Sequence, residues 1–378
     1  MAKFRDLLAF GQEPESLCEV YEAVAGGGGA SSSQSSRARS REVRTRAVHL
    51  PGMPQAQSAF QRTVQEMGAH VAKGMAIPAG EVTDEISPGV LFRHYARDHF
   101  ARFRARFGIT EEAYRQSLAS LEGGTTQASG KSGSLFYFTA DKRFVLKTIS
   151  HGEKDKLLAM LPRYIEHFSS ALDAGKPCLL SRFFAVYSVS VGAQCAFPEV
   201  GGMFNLVVMD NVFSGGRPDQ IYDLKGTTED RFVQPEEGKV LKDLNFRNSR
   251  LLLPEEEAEA LLEAVRLDTA FLEEQDVMDY SLILGVFEGG PPPAGNAGHR
   301  DVLAGSMLVQ NKEQPAAFQM AIIDMLVSWT LKKKAAYVIK WPTLGCCFEI
   351  DTAPPEYYRE RFVDYLEDKV VLDDDDSD

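Results

Sequence analysis

Two hydrophobic periods alternate along this chain, and the switches between them lay out its elements. Val90, Leu91, Tyr95, Phe100, Phe103 and Phe107 recur at helical spacing and predict a helix over 90–107. A second helix is expected near 111–121. Ser134–Thr139 and Arg143–Ile149 then read as strands, joined by Ala140-Asp141-Lys142 as a hairpin turn. Leu157–Phe168 is helical again, with Pro162 placed to end or kink it. Phe183–Val191 and Phe204–Met209 return to strand. These elements make an antiparallel sheet with helices, an α+β lobe.

A second half begins near Asn211. Pro254 followed by Glu255-Glu256-Glu257 reads as a helix start, with proline in the first position and acids in the first turn. Ala258, Leu261, Leu262, Val265 and Leu272 continue it as a helical stripe. Ser281–Phe287 is apolar on both faces, hence a buried strand. Gly289–Gln314 contains Pro291-Pro292-Pro293 and reads as a flexible insertion. Met320–Val327 is apolar around Asp324. Residues 1–24 suffice for a short helix. Gly26–Arg46 is Gly/Ser-rich and then Arg-rich, which suits a solvated linker; its arginines also suit anionic lipid.

Composition narrows the classes. The chain has 378 residues, 44% of them hydrophobic and 25% charged, enough for one large domain or two lobes. No apolar run approaches the ~20 residues of a membrane span. The opening Met1-Ala2-Lys3-Phe4-Arg5-Asp6 lacks the pattern of a secretory signal. Five cysteines without metal-like spacing, two of them adjacent at 346 and 347, fit free thiols in a reducing cytoplasm. A net charge of −13 argues against a nucleic-acid partner. Part of that excess sits in the terminal Asp373–Asp378 run.

Three segments set an acid or a base among apolar neighbours: Tyr222-Asp223-Leu224-Lys225-Gly226-Thr227, Met278-Asp279-Tyr280-Ser281-Leu282 and Ile322-Ile323-Asp324. A carboxylate there is costly unless something pairs with it, and a metal–nucleotide complex is one such partner. Asp279 suits a carboxylate that orients or deprotonates a hydroxyl; Asp324 suits one that holds Mg²⁺. Each alone also fits a helix cap or a core salt bridge. Ser129-Gly130-Lys131-Ser132-Gly133-Ser134 opens a strand with small residues, letting backbone N–H groups approach phosphate. Such turns often only connect strands, and the Walker A spacing is missing. Lys147 follows inside Arg143–Ile149, one hairpin after that turn, where a kinase places its phosphate-binding lysine. His-Arg-Asp and Asp-Phe-Gly are absent, which excludes an ordinary protein kinase.

These pieces, in this order, resemble the phosphatidylinositol phosphate kinases over roughly Ile86 to Tyr365. The carriers are Ser129–Ser134, Arg143–Ile149, Tyr222–Thr227, Met278–Gly285 and Ile322–Asp324. The resemblance implies a two-lobed α+β fold, distantly protein-kinase-like, with an antiparallel sheet in the N-lobe. It divides the chain into a largely disordered segment (1–60), an N-lobe (61–210), a C-lobe (211–368) and an acidic tail (369–378). It implies transfer of the ATP γ-phosphate to an inositol ring hydroxyl of a membrane phosphoinositide. Gly130, Ser132, Gly133 and Ser134 would cover the phosphates, and Lys147 would pair with them. Met209 and Asn211 would lie at the adenine. Asp279 would be the catalytic aspartate, Lys225 would sit near the transferred phosphate, and Asp223 would help position it. Asp324 would hold Mg²⁺, and Arg231 would contact the lipid's existing phosphate. The enzyme would be cytoplasmic and peripheral at the membrane, and the resemblance admits a homodimer through the N-lobe.

The segment from Leu331 to Trp341 interleaves Lys332, Lys333, Lys334 and Lys340 with Tyr337, Val338 and Ile339. That mixture suits an anionic membrane surface, and also a helix with a charged face. In the family it is the activation loop. Ala336 stands where the type II enzymes, which act on phosphatidylinositol 5-phosphate, carry alanine and the type I enzymes carry glutamate, so the resemblance implies the 5-phosphate as substrate and the 4,5-bisphosphate as product. The alternatives are a phosphatidylinositol 4-phosphate 5-kinase and a catalytically weak phosphoinositide-binding scaffold of the same fold. Asn245 departs from the family, which usually has a second aspartate there. The acidic partner of Lys147 is expected at Glu153 or Asp155.

Overall fold

The computed structural model describes residues 82–87, 90–119, 121–123, 134, 136–191, 202–236, 238–290, 303–330 and 353–372. Two seven-stranded sheets organise them. The first is built from β1 (Val82–Ser87), β2 (Val90–Tyr95), β3 (Leu121–Gly123), β4 (Phe136–Thr139), β5 (Phe144–Ile149), β6 (Phe183–Val191) and β7 (Gly202–Asp210). Its order is β1-β2-β6-β7-β5-β4-β3, antiparallel throughout. The second contains β8 (Gln220–Leu224), β9 (Leu241–Lys242), β10 (Ser249–Leu253), β11 (Ser281–Glu288), β12 (Leu303–Val309), β13 (Lys312–Ile323) and β14 (Val370–Leu372). Its order is β14-β10-β12-β13-β11-β8-β9, antiparallel except at its two edge pairs. The expected α+β class with an antiparallel first sheet is what the chain forms.

Five helices accompany the sheets among the described residues: α1 (Arg97–Arg106), α2 (Glu111–Leu118), α3 (His151–Asp173), α4 (Glu255–Glu274) and α5 (Pro355–Lys369). The sequence expectation of one helix over 90–107 fails in its first third. Leu91 is exposed, Phe92 buried, Arg93 exposed and His94 buried, the alternation of a half-buried strand. The turn comes at Ala96, in the left-handed region at φ 46°, and α1 starts after it. Its aromatic stripe is real: Phe103 packs edge-on against Phe107 and Phe168. Helix α2 ends at Leu118, and Leu121 belongs to β3.

The hairpin between β4 and β5 falls where Ala140-Asp141-Lys142 predicts it. Asp141 accepts from the Thr139 hydroxyl at 2.6 Å and the Arg143 amide at 3.2 Å, and Lys142 supplies the left-handed φ of 59°. Helix α3 opens with a reciprocal cap. The Glu153 amide donates to Ser150 Oγ at 3.2 Å, and the Ser150 amide donates to Glu153 Oε2 at 2.7 Å. Pro162 neither ends nor kinks it apart: the helix runs 23 residues. Pro162 is exposed, while Leu157, Leu161, Tyr164 and Phe168 bury a stripe on both sides of it. That burial offsets the one missing backbone hydrogen bond.

Three further expectations change. Pro254 is the cap of α4, one residue before the helix. Gly289–Gln314 is not simply an insertion: Leu303–Val309 and the start of β13 form a hairpin with pairs from Leu303↔Phe318 to Val309↔Lys312. Residues 291–302 lie outside the described residues. The acidic tail expected from 369 begins later, because Lys369 closes α5 and Val370–Leu372 pair in parallel with Leu251–Leu253. The segment 1–60 also lies outside the described residues.

His94 offers a test of this packing. It is buried against the Tyr187 ring, with centroids 4.7 Å apart. Burial first, then Arg104 and Arg97, hold its pKa down from 6.5 to about 3. The unfolded chain therefore takes up a proton in this window that the folded chain refuses, so stability falls as pH drops through it. His94 should contribute a slope of about 1.4 kcal/mol per pH unit below its unfolded pKa. Urea unfolding between roughly pH 6.5 and 5 should show the slope shrink in His94→Phe. An unchanged slope would place the imidazole in water.

Candidate active site

Three strand ends meet at one edge of the second sheet. β11 is central there, with β8 on one side and β13 on the other, both antiparallel to it. Leu282 faces Leu224 across one ladder and Ile322 across the other. Lys225 just after β8, Asp279 just before β11 and Asp324 just after β13 therefore emerge together. The flanking residues explain why each points outward. Leu224, Met278, Tyr280 and Ile322 are all essentially buried. The ion pair between Lys225 Nζ and Asp279 Oδ1 joins two of the three.

Both aspartates occupy the left-handed region, at φ 65° for Asp279 and 58° for Asp324. That costs a non-glycine residue about 1–2 kcal/mol each. The surroundings hold them there. The Met278 amide donates to Val327 O at 3.0 Å and the Trp329 amide to Asp276 O at 3.0 Å. Tyr358 donates its hydroxyl to Tyr280 O from α5.

Lys147 reaches this edge from the first sheet. It sits in β5 opposite Phe136 and Val207, its side chain only 11% exposed, and its Nζ pairs with Asp324 Oδ1. Neither expected acid is its partner. Glu153 is spent on the Ser150 cap, and Asp155 contacts His151 and Lys154. The partner lies 177 positions away, at the residue expected to hold a metal. Backbone bonds fix that reach. The Ile322 amide donates to Leu179 O at 2.7 Å, and the Ser181 amide donates to Ile322 O at 2.9 Å. The segment between α3 and β6 is thus stitched to the end of β13.

Asp243, which sequence reasoning passed over, holds the loop that carries Lys225. One of its oxygens accepts from the Lys225 amide at 2.9 Å and the Gly226 amide at 2.8 Å. The other accepts from Arg231 Nε at 2.6 Å. Arg231 also donates to the Asp223 carboxylate at 3.2 Å and to the Asp223 carbonyl. Asp223, Arg231 and Asp243 thus form a chain that fixes the backbone carrying Lys225. The Asp223 and Asp243 charges raise the Arg231 pKa against the burial that lowers it. An incoming phosphate would have to displace Asp223 to reach Arg231. Gly226 is required in this turn: its φ is 68°, and a Cβ would meet Tyr365 Cβ at 2.9 Å.

Asn245 belongs to the same loop. Its Oδ1 accepts from the Val233 and Lys242 amides, each at 3.1 Å, and its Nδ2 donates to Val233 O at 2.8 Å. A carboxylate could not make the third bond. Met209 lies in β7 opposite Val145 and Phe183, half-buried. Asn211 follows it and donates from Nδ2 to Lys142 O at 2.7 Å, tying the end of β7 to the β4–β5 turn. Ser134 is described as half-buried. Gly130, Ser132, Gly133, Lys332, Lys333, Lys334 and Ala336 lie outside the described residues.

Residues 123–303 match the family model described as phosphatidylinositol-4-phosphate 5-kinase. These residues, just under half of the chain, are thus a phosphatidylinositol phosphate kinase family domain. A protein of Dictyostelium discoideum named "Probable phosphatidylinositol phosphate kinase" is 28% identical over 73% of this chain and 47% of its own length. Phosphatidylinositol 4-phosphate 5-kinase 7 of Arabidopsis thaliana is 34% identical over 53% of this chain and 26% of its own. Human phosphatidylinositol 5-phosphate 4-kinase type-2 alpha is 27% identical over 73% of this chain and 77% of its own. The chain thus spans half or less of the first two relatives, and both positional specificities occur among the proteins it resembles.

Two substitutions test the loop that carries Lys225. Asp243→Ala leaves Arg231 with one carboxylate and two backbone amides without their acceptor, and should cost about 3 kcal/mol in urea unfolding. A loss below about 1 kcal/mol would mean that the network adds nothing net. Asn245→Asp brings in the family's usual residue but removes the donor to Val233 O. It should cost about 1–2 kcal/mol; a more stable variant would refute the donor assignment.

Proposed function

We propose that this protein is an ATP-dependent lipid kinase. It transfers the γ-phosphate to an inositol ring hydroxyl of a phosphatidylinositol monophosphate, giving the 4,5-bisphosphate. The observation that carries this reading is the convergence of Lys225, Asp279 and Asp324 on one sheet edge, with Lys147 reaching them from the other sheet. Phosphoryl transfer needs such a set: cations for the charge on the transferred group and a carboxylate at the attacking hydroxyl.

Asp279 accepts the hydroxyl proton as the inositol oxygen bonds to the γ-phosphorus and the bond to the departing ADP oxygen breaks. Lys225, already against that carboxylate, lies where charge develops on the phosphoryl oxygens. Lys147 serves the nucleotide phosphates. The Asp324 carboxylate suits Mg²⁺, being a hard oxygen donor, about half exposed, with room for water and phosphate to complete the shell. Bound there, Mg²⁺ would offset the negative charge of the nucleotide phosphates. It would also compete with Lys147 for the carboxylate. Gly130 to Ser134 would cover the phosphates, Met209 and Asn211 would face the adenine, and Arg231 would act through the loop it holds. Lys332, Lys333 and Lys334 would dock the enzyme on anionic membrane. None of the described helices is long and apolar enough to cross a membrane. Peripheral association at the membrane surface is the route to the lipid in this reading.

Ala336 favours phosphatidylinositol 5-phosphate as substrate, through the family's type II pattern. A second reading, a 4-phosphate 5-kinase, is supported by the 34% identity to the Arabidopsis enzyme of that name. Vesicles containing either lipid, incubated with radiolabelled ATP and Mg²⁺, separate the two. Product is expected from the 5-phosphate; product from the 4-phosphate alone would select the second reading. Asp279→Asn should lower kcat by about a hundredfold or more, and Asp324→Ala should abolish turnover with the far-UV circular dichroism unchanged. Wild-type turnover in a folded Asp324→Ala protein would remove Asp324 from the mechanism.

A further inference from the structure

Away from the sheet edge, His167, Cys178 and Asp268 bring three different donor atoms together, all within 4.8 Å of one another. They come from three segments: His167 from α3, Cys178 from the connection between α3 and β6, and Asp268 from α4. We propose that this cluster is a binding site for a borderline divalent transition metal of the Zn²⁺ or Co²⁺ class, and that the ion clamps α3, the connection and α4 together. Thiolate, imidazole and carboxylate is the donor set such ions take, whereas Mg²⁺ and Ca²⁺ take oxygen.

The three donor atoms converge, at present through hydrogen bonds onto one carboxylate oxygen. Asp268 is 1% exposed, and its two oxygens do different work. Oδ2 accepts the Leu179 amide at 2.5 Å, which fixes the carboxylate plane. Oδ1 alone receives both remaining groups, His167 Nε2 at 2.6 Å and Cys178 Sγ at 3.4 Å. The His167 ring is itself held, stacked on Phe271 with centroids 4.8 Å apart and planes at 24°. Oriented ligands with backbone and aromatic support are what a metal site requires of its surroundings. Imidazole, thiol and carboxylate now share protons around a single oxygen. A divalent cation replaces those protons, and thiolate plus carboxylate match its charge. His167 and Cys178 are each partly exposed, so water can enter as a fourth ligand.

Phosphoryl transfer uses none of these three residues, so the test stands apart from it. The purified full chain, stripped of metal and kept reduced, is titrated with Co²⁺. A near-ultraviolet thiolate-to-cobalt band is expected, saturating at a single equivalent. Cys178→Ser should abolish the band. His167→Gln should weaken binding by about tenfold or more, at least what loss of a supporting partner costs a metal site. Zn²⁺ should raise the unfolding midpoint of the wild-type chain and leave that of Cys178→Ser unmoved. Asp324→Asn should leave the band intact, which separates this site from the sheet edge. Absence of the band, its survival in Cys178→Ser, or indifference to His167→Gln would overturn the proposal and leave a hydrogen-bond hub.

Discussion

The phosphoryl-transfer chemistry proposed for this protein depends on the register of β11 with its two neighbours. Leu282 faces Leu224 on one side and Ile322 on the other. Because side chains alternate along a strand, a one-residue slip on either ladder would turn a buried position outward and carry Lys225 or Asp324 away from Asp279. Burial opposes it, since Leu282, Leu284 and Val286 are enclosed on one face of β11 and Phe287 on the other, while Ile283 is only half-buried and Glu288 exposed. Gly285 makes the packing closer still: a Cβ there would run into Phe213 and Pro218, so the chain leaving the first sheet crosses directly over this strand. The aspartates are strained but not free to relax, because their neighbours are core residues.

The same edge is where the two sheets join. Leu179 and Ser181 pair with Ile322 through the backbone, and Ser181 also donates from its hydroxyl to Ile322 O at 2.9 Å. Tyr164 completes the clasp, donating to Ser181 O at 2.6 Å and accepting from the Phe183 amide at 2.9 Å. Backbone ladders are stiff and side-chain ion pairs are not. The position of Asp324 is therefore set by the ladder, while the Lys147–Asp324 contact, with a half-exposed carboxylate, is free to exchange for a ligand.

Much of the fold was legible because burial leaves a period in the sequence. Phe183–Val191 matched its strand end to end, and the β4–β5 turn fell on the residues chosen for it. Val90–Tyr95 misled because Tyr95, Phe100, Phe103 and Phe107 keep helical spacing across the strand–helix junction, and nothing local marks Ala96 as a left-handed turn. Lys225, Asp279 and Asp324 stood out as charges among apolar neighbours. Asp243 carries as much of the local structure but sits in Lys242–Phe246, where a polar residue excites no suspicion. Its partners, two backbone amides and Arg231, are properties of the folded loop. The partner of Lys147 was sought nearby, since sequence displays local pairs and hides those made across 177 residues. Asn245 reads as a lost charge in the sequence and as a gained donor in the structure.

The charge balance of the edge bears on why the two lysines and the two aspartates are paired as they are. Lys147 with Asp324 and Lys225 with Asp279 make two formally neutral pairs, each with the ammonium side more buried than the carboxylate. A buried lysine without a partner would be costly, and a partner from the core would hold it permanently. A half-exposed carboxylate at a strand end does neither: it neutralises the lysine and can still turn to another cation. On the proposed function, a cation that drew Asp324 away would leave Lys147 as a pre-placed positive charge in a poorly solvated position, where its attraction for an anion is strongest. Anion and cation would then favour each other's binding, because each would remove the cost that the other leaves behind.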